Sequence, residues 1–249
     1  MAVNLIKIAK VYIWSLFDLF QPPCCLCATP THHASGLCPG CLADLPVLSG
    51  PQCRCALPMD SSAAPEHDDD LAPLCGHCLH RPPGFLGIQT PFLYAHPLDR
   101  MINDWKHQRR LYLQRPLQYL LDQGLTTLPD VDVVVPIPLH WRRQWLRGFN
   151  QATLLASALA RQHGLRLLPA LSRPKAGRHQ QGSNARDRRR ARQDTFVCRA
   201  NVRSLRILLV DDVVTTATTV RAATDILLAA GAESVSVVAL CRVLPPSAR

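Results

Sequence analysis

No stretch of the 249 residues reaches the ~20 uninterrupted apolar positions that a membrane-spanning helix needs. The N-terminal segment comes nearest, but Lys7, Lys10 and Asp18 interrupt it and no small-residue cleavage pattern follows, so a secretory signal is not expected. Leu5, Ile8, Tyr12, Leu16 and Leu19 recur at helical spacing, so residues 1–20 are predicted to form an amphipathic helix, more readily a packing helix than a membrane-docking one. Acidic residues are scarce beside basic ones. The 18 Asp and Glu against 28 Lys and Arg leave a formal net charge of +10, which favours a polyanionic or phosphorylated partner over a membrane or an acidic protein.

Long apolar runs are also missing between Gln21 and about Pro83, where Cys, Pro and His are frequent and Glu66 to Asp70 form an acidic insert. A module of residues 21–83 has too little apolar surface for a large core of its own, and bound metal would have to stabilise it. Nine of the eleven cysteines sit here, eight of them in C-x2-C or C-x-C spacings, which argues against disulfides: such neighbours aim their thiolates into one small volume. Cys24, Cys27, Cys38 and Cys41 form a regular four-thiolate set, for which zinc is the expected ion. In the second set Cys75 and Cys78 pair with Cys55 and with Cys53, and His77 or His80 is an alternative to one of these ligands. A reducing cytoplasm is the expected compartment. Cys25 is spare, and Cys198 and Cys241 read as apolar residues on strands.

Beyond Pro82-Pro83-Gly84 the pattern alternates between strands and helices over residues 84–249. Residues 91–95 suit a short strand, 98–105 and 111–123 suit helices, and the valine-rich run 131–137 suits a strand buried on both faces. A helix is expected over 150–162, a strand over 205–210, a helix over 218–230 ending at Gly231, and a strand over 234–240. Residues 171–194 have no apolar periodicity and read as a loop or hood. Strand, helix, strand at these lengths implies right-handed crossovers and hence an α/β fold: a parallel sheet flanked by helices.

Ile207 to Val220 hold the most informative string, Ile-Leu-Leu-Val-Asp-Asp-Val-Val-Thr-Thr-Ala-Thr-Thr-Val. A buried strand delivers Asp211 and Asp212 at its C-terminal edge, where open α/β sheets bind ligands. The following Val213, Thr215, Thr216, Ala217, Thr218 and Thr219 lead into a helix whose free N–H groups, hydroxyls and dipole suit a phosphate. An acidic strand end followed by a Thr cap is common for one residue of each kind. The whole string is not. Further candidates for phosphate contact are Arg147, Gly148 and Asn150, in the run after Pro136-Ile137-Pro138-Leu139-His140, and Lys106, which reads equally as an exposed helix lysine.

Between His140 and Arg206 there are sixteen Lys or Arg against two Asp, a net +14, so the remainder of the chain is net acidic. Arg142, Arg143, Arg186, Arg188, Arg189 and Arg190 are the candidate nucleic-acid contacts, expected to act through phosphates and to depend on salt. Trp141, Trp145 and Phe149 lie among these arginines and offer stacking faces, with Trp145 and Phe149 as core residues the alternative.

The 207–220 string closely resembles the phosphoribosyl pyrophosphate (PRPP) motif of type I phosphoribosyltransferases. In order, the cysteine-rich segment, Phe92-Leu93-Tyr94, Pro136 to Leu139 with Arg147 to Gln151, and Val210 to Thr216 resemble the ComF/GntX family over about Pro22 to Arg242. That resemblance implies a double zinc-ribbon module ahead of a phosphoribosyltransferase-like domain, and a role in natural competence or the use of external DNA. It implies PRPP or another phosphate ligand, magnesium alongside PRPP, single-stranded DNA and competence-machinery proteins as partners. It also implies that Asp211 and Asp212 hold the ribose hydroxyls directly or through magnesium, while Thr215 to Thr219 surround the 5′-phosphate. The alternative it carries is an active PRPP-dependent transferase, and a weaker one is a regulator that senses PRPP. The family usually has Gly at position 217, and Leu and Asn where this chain has Ser183 and Ala191, although Gln180 and Arg188 match. These departures weigh against turnover more than against binding.

Overall fold

Valine- and leucine-rich runs with no polar alternation can be satisfied only in a sheet covered on both faces, and the computed structural model places them there. It describes residues 22–59, 73–173 and 196–245. The expected N-terminal helix of residues 1–20 and the acidic insert lie outside these. The chain divides into two compact units, residues 1–45 and 46–249, so the cysteine-rich segment 21–83 is shared between them.

In the first unit a tight turn brings Cys24 and Cys27 together: the Ala28 amide donates to the Cys24 carbonyl at 2.9 Å, and Ala28 takes a positive φ of 62°. Helix α1, Pro39–Ala43, starts at Cys38, whose sulfur accepts from the Cys41 amide at 3.5 Å. The second unit opens with the same device. The Ala56 amide donates to the Cys53 carbonyl, Ala56 has φ 59°, and helix α2, Gly76–His80, begins after Cys75.

The main sheet of the second unit comprises β1 (Ile88–Gln89), β2 (Phe92–Leu93), β3 (Val133–Pro136), β4 (Arg166–Leu167), β7 (Arg206–Val214) and β8 (Ser234–Arg242). Its order is β1-β8-β7-β3-β4, with β2 also on β8, and every pairing is parallel. Two further strands, β5 (Leu171–Ser172) and β6 (Val197–Cys198), form an antiparallel pair at the two ends of the expected hood. Part of that segment therefore has strand structure, and residues 174–195 lie outside the described residues.

Helices α3 (Leu98–His107), α4 (Gln114–Gly124), α5 (Trp141–Arg147), α6 (Gln151–Gln162) and α7 (Thr218–Ala229) accompany the sheet. The expected helix over 111–123 begins as a 3₁₀ turn at Leu111–Leu113 and becomes α-helical at Gln114. The α6 crossover leads from β3 outward to β4, while the α7 crossover leads from β7 outward to β8 in the opposite direction. The order thus reverses between β3 and β7. In open α/β sheets a ligand crevice forms beyond the carboxyl ends of the strands at such a switch point.

Candidate functional site

Each element at the switch point contributes one part of a cleft of about 180 Å³ lined by Lys106, Arg147, Gln151, Arg173, Asp211, Asp212 and Thr219, among others. Strand β7 stays paired with β8 through Val214, which carries Asp211 and Asp212 to the rim on a rigid backbone. The Asp212 amide donates to the Asp211 carboxylate at 2.9 Å, and the Val213 amide to the Asp212 carboxylate at 2.8 Å. Removal from water, and next the like charge of Asp212, push the Asp211 carboxyl above its ordinary range. Lys106, at the C-terminal end of α3, forms an ion pair with Asp212, Nζ to Oδ2 2.5 Å. The sequence alternatives for Lys106 thus separate: it faces the cleft and is mostly buried.

After β7 the chain turns at Thr215, Thr216 and Ala217. Ala217 occupies the left-handed well, φ 56° and ψ 8°, so the alanine adopts the conformation that glycine takes without strain. The hydroxyls of Thr216 and Thr218 lie 2.9 Å apart, and Thr219, in the first turn of α7, lines the cleft. On the opposite wall Asn150 caps α6. Its carbonyl oxygen accepts from the Ala152 amide at 3.1 Å while its amide donates to the Ile137 carbonyl at 2.9 Å, fixing the loop after β3. Arg147 donates to the Gln151 side chain at 3.3 Å, and Gly148, φ 84°, lets α5 turn into Asn150. Arg173, beyond β5, stacks over the Phe196 ring at 5.4 Å and reaches the same cleft.

A second, wider groove adjoins the first and shares Lys106 and Arg147 with it, its other walls being His107, Arg109 and Leu146. Arg109 donates to the Leu146 carbonyl at 2.6 Å, linking the end of α3 to α5. Trp145 and Phe149, alternatives as core or stacking residues, divide: Trp145 is 80% exposed, whereas Phe149 packs against buried Trp105 with ring centroids 5.8 Å apart. Arg142 and Arg143 lie on α5, but their side chains, like Trp141's, fall outside the described residues, as do Gln180, Ser183, Arg186, Arg188, Arg189, Arg190 and Ala191 entirely.

Both cysteine sets come together. The sulfurs of Cys24, Cys27, Cys38 and Cys41 lie within 4.8 Å of one another, and so do those of Cys53, Cys55, Cys75 and Cys78. Zinc–sulfur bonds of about 2.3 Å set tetrahedral sulfurs about 3.8 Å apart. The Cys27–Cys38 distance is 3.6 Å, and Cys55 lies 3.5 Å from Cys53 and 3.8 Å from Cys75. Each set has the dimensions to hold a zinc ion. Neither His77 nor His80 belongs to the second set, which the two-cysteine knuckle at Cys53 and Cys55 completes. Cys241 is buried on β8, while Cys198 on β6 is only partly so.

Sequence reading missed two buried arginines. Arg242, at the end of β8, donates through Nη1 to the carbonyls of Val214, Thr215 and Val243 and through Nε to that of Cys55. Arg221, in α7, donates to the Cys78 sulfur at 3.0 Å and the Arg81 carbonyl at 2.9 Å, with its guanidinium 5.7 Å from the Phe85 ring centre. A charged residue closing an otherwise apolar strand was the available signal for Arg242; for Arg221 there was none.

The family model for the phosphoribosyl transferase domain matches residues 152–246. The chain is 34% identical over 228 residues to DNA utilization protein YhgH of Escherichia coli (strain K12), covering 89% of this chain and 90% of that protein. It is 30% identical over 239 residues to Competence protein F of Haemophilus influenzae, covering 91% and 100%. Among solved structures, an allosteric regulatory enzyme of purine biosynthesis aligns with 49% of this chain and 24% of its own at 22% identity and a TM-score of 0.37. With identity at this level sustained over nine-tenths of its length, the chain belongs to the ComF family of DNA-utilisation and competence proteins.

Proposed function

We propose that this protein serves the uptake or use of external DNA in the cytoplasm, binding PRPP–magnesium or another phosphate ligand in the cleft and single-stranded DNA on the adjoining basic face. The observation that carries this reading is the convergence of the Asp211–Asp212 pair, the threonine turn, Lys106 and Arg147 at the switch point of the sheet. Thr215 to Thr219 offer hydroxyls and the free amides of a helix start to a 5′-phosphate. In this reading Asp211 and Asp212 accept from ribose hydroxyls or hold magnesium, and Arg147 forks onto pyrophosphate oxygens. Val213, Ala217, Gly148 and Asn150 shape the two walls. The metal in the cysteine sets is zinc in a structural role. The names of the relatives tie the family to DNA use and competence, and competence-machinery proteins are the expected partners.

For single-stranded DNA the support is the groove of Lys106, His107, Arg109 and Arg147 beside an outward-facing Trp145: cations for the backbone and an aromatic face for a base. Titrating one zinc-loaded sample with PRPP–magnesium and with a short oligothymidylate, singly and then together, tests both halves. Saturable binding of each is expected, with competition because Lys106 and Arg147 border both grooves. Asp211→Asn is expected to weaken PRPP binding and spare the oligonucleotide. Absence of either binding event would remove that half of the reading.

A transferase reading is favoured by the intact aspartate pair. A nitrogen nucleophile would attack the ribose C1 of PRPP, forming the N–C1 bond as the C1–O bond breaks and losing its proton to solvent, with pyrophosphate departing toward Arg147; magnesium held by Asp211 and Asp212 would supply further charge neutralisation. Release of labelled pyrophosphate on adding one of a panel of bases is its test; no release with any acceptor argues for binding alone.

A further inference from the structure

We infer that the second cysteine centre and the phosphate loop form one mechanical unit, joined by Arg242 and Arg221, so that a metal-loaded centre and an occupied loop stabilise each other. The inference rests on the reading of Thr215 to Thr219 as a phosphate cradle and deepens it into a linkage between zinc and ligand.

Arg242 is 3% exposed and its guanidinium spans the gap between two functional segments. One side donates to the Cys55 carbonyl at 3.1 Å; the other donates to the carbonyls of Val214, the last residue of β7, and Thr215, the first of the turn. Arg221 is 8% exposed and ties the first turns of α7, the helix that starts the cradle, to the Cys78 sulfur and the Arg81 carbonyl. Two of the four cysteines are thus each one hydrogen bond from an arginine that also belongs to the loop or its helix. Cys53, Cys55 and Cys78 share a single apolar core with Val214, Ala217 and Val220, leaving little space for one segment to shift alone.

Charge gives the same answer independently. Among the described residues neither arginine is within ion-pair distance of a carboxylate. Two buried cations without an anion are costly. Four thiolates around one divalent ion carry a net charge of −2, which two guanidiniums match. Without the ion that match of charge is lost beneath the loop. The backbone turn at Thr215 is therefore expected to keep its ligand-ready shape only over a loaded centre.

Linkage is reciprocal in binding free energy, so ligand bound at the loop must tighten metal binding at the second centre by the same factor with which the metal favours the ligand, and the share of zinc captured by a competing chelator at equilibrium reads that factor. The test follows zinc transfer from the full chain to a chromogenic chelator, with and without saturating PRPP–magnesium, inorganic pyrophosphate serving as a second probe. One of the two zinc ions is expected to be held at least about fivefold more tightly against the chelator at equilibrium when the loop is occupied, in the range usual for coupled sites. Arg242→Gln is expected to abolish that protection and to weaken PRPP binding about tenfold, with Arg242→Lys, which keeps the charge, recovering part of both. Equal zinc release from free and PRPP-saturated protein, with binding verified calorimetrically in the same sample, would overturn the linkage while leaving the phosphate reading intact. No binding of either probe would overturn the phosphate reading itself and the linkage with it. Should Arg242→Gln not fold, the comparison on the unaltered chain decides alone.

Discussion

Ala217 holds the turn of the phosphate loop in a left-handed conformation at φ 56°, where a β-carbon crowds the backbone at a cost of about 1–2 kcal/mol. Replacing it with glycine is expected to raise stability by about 1 kcal/mol, read as a higher urea midpoint at unchanged slope, since relief of strain outweighs the added freedom of the unfolded chain. An unchanged or lower midpoint would mean that burial of the Ala217 methyl matters more than its backbone. Gly148, at the other wall of the cleft, offers the converse experiment. It takes φ 84° with open space where a β-carbon would stand, so Gly148→Ala tests backbone strain without a steric clash. A loss of about 1 kcal/mol is expected, and a neutral result would show that α5 can end another way.

Strands β3 and β7, which carry the two walls, are held in register at their starts by Asp132 and Arg206. Arg206 donates to the Asp132 carboxylate from its amide at 2.8 Å, from Nε at 3.2 Å and from Nη2 at 2.8 Å, and reaches Asp130 as well. The Arg206 side-chain hydrogen bonds hold the Asp132 carboxyl down at about 2. A carboxylate depressed by folding contributes stability above its unfolded value near 3.9, and that contribution fades as pH falls through about 4 to about 2. Asp132→Asn is therefore expected to lower the melting temperature at pH 7 and to shrink the further drop in acid, with both differences reduced in 1 M salt because the pair is partly exposed. Elements such as these were legible in the sequence wherever burial follows a period. The runs 133–136 and 234–242 and helices α3, α6 and α7 appear close to their expected bounds, while β7, expected over 205–210, continues through both aspartates to Val214 because it stays paired with β8. Helix α5 was not legible because, among its described side chains, Trp145 and Leu146 are exposed and form no buried apolar stripe to be read. The Lys106–Asp212 ion pair and the two buried arginines escaped for another reason: they pair charges with partners far along the chain, and no local pattern encodes that. The aspartate pair and the threonine turn were legible because their chemistry lies within one short strand–turn–helix string.

Basic charge is concentrated in one stretch of the sequence, net +14 between His140 and Arg206 in a chain of net +10, and among the described residues the groove of Lys106, Arg109 and Arg147 offers a polyanion cations beside the cleft. Two forces would then hold single-stranded DNA there, and salt separates them. Phosphate contacts release counterions, so each one adds about 0.7 to the slope of log affinity against log salt for a single strand, whereas stacking on an aromatic face adds affinity without adding slope. Arg109, on the groove wall, and Trp145, beside it in sequence to Leu146, are the residues to compare. Across 50–400 mM salt, Arg109→Gln is expected to reduce the slope for an oligothymidylate by about 0.7. Trp145→Ala is expected to leave the slope alone and weaken binding by about 1–3 kcal/mol at every salt concentration, the amount usual for one stacked base. If Trp145→Ala changes the slope instead, the indole acts by supporting α5 and its arginines. If it changes neither quantity, its 80% exposure has no part in holding DNA, and the strand is held by charge alone.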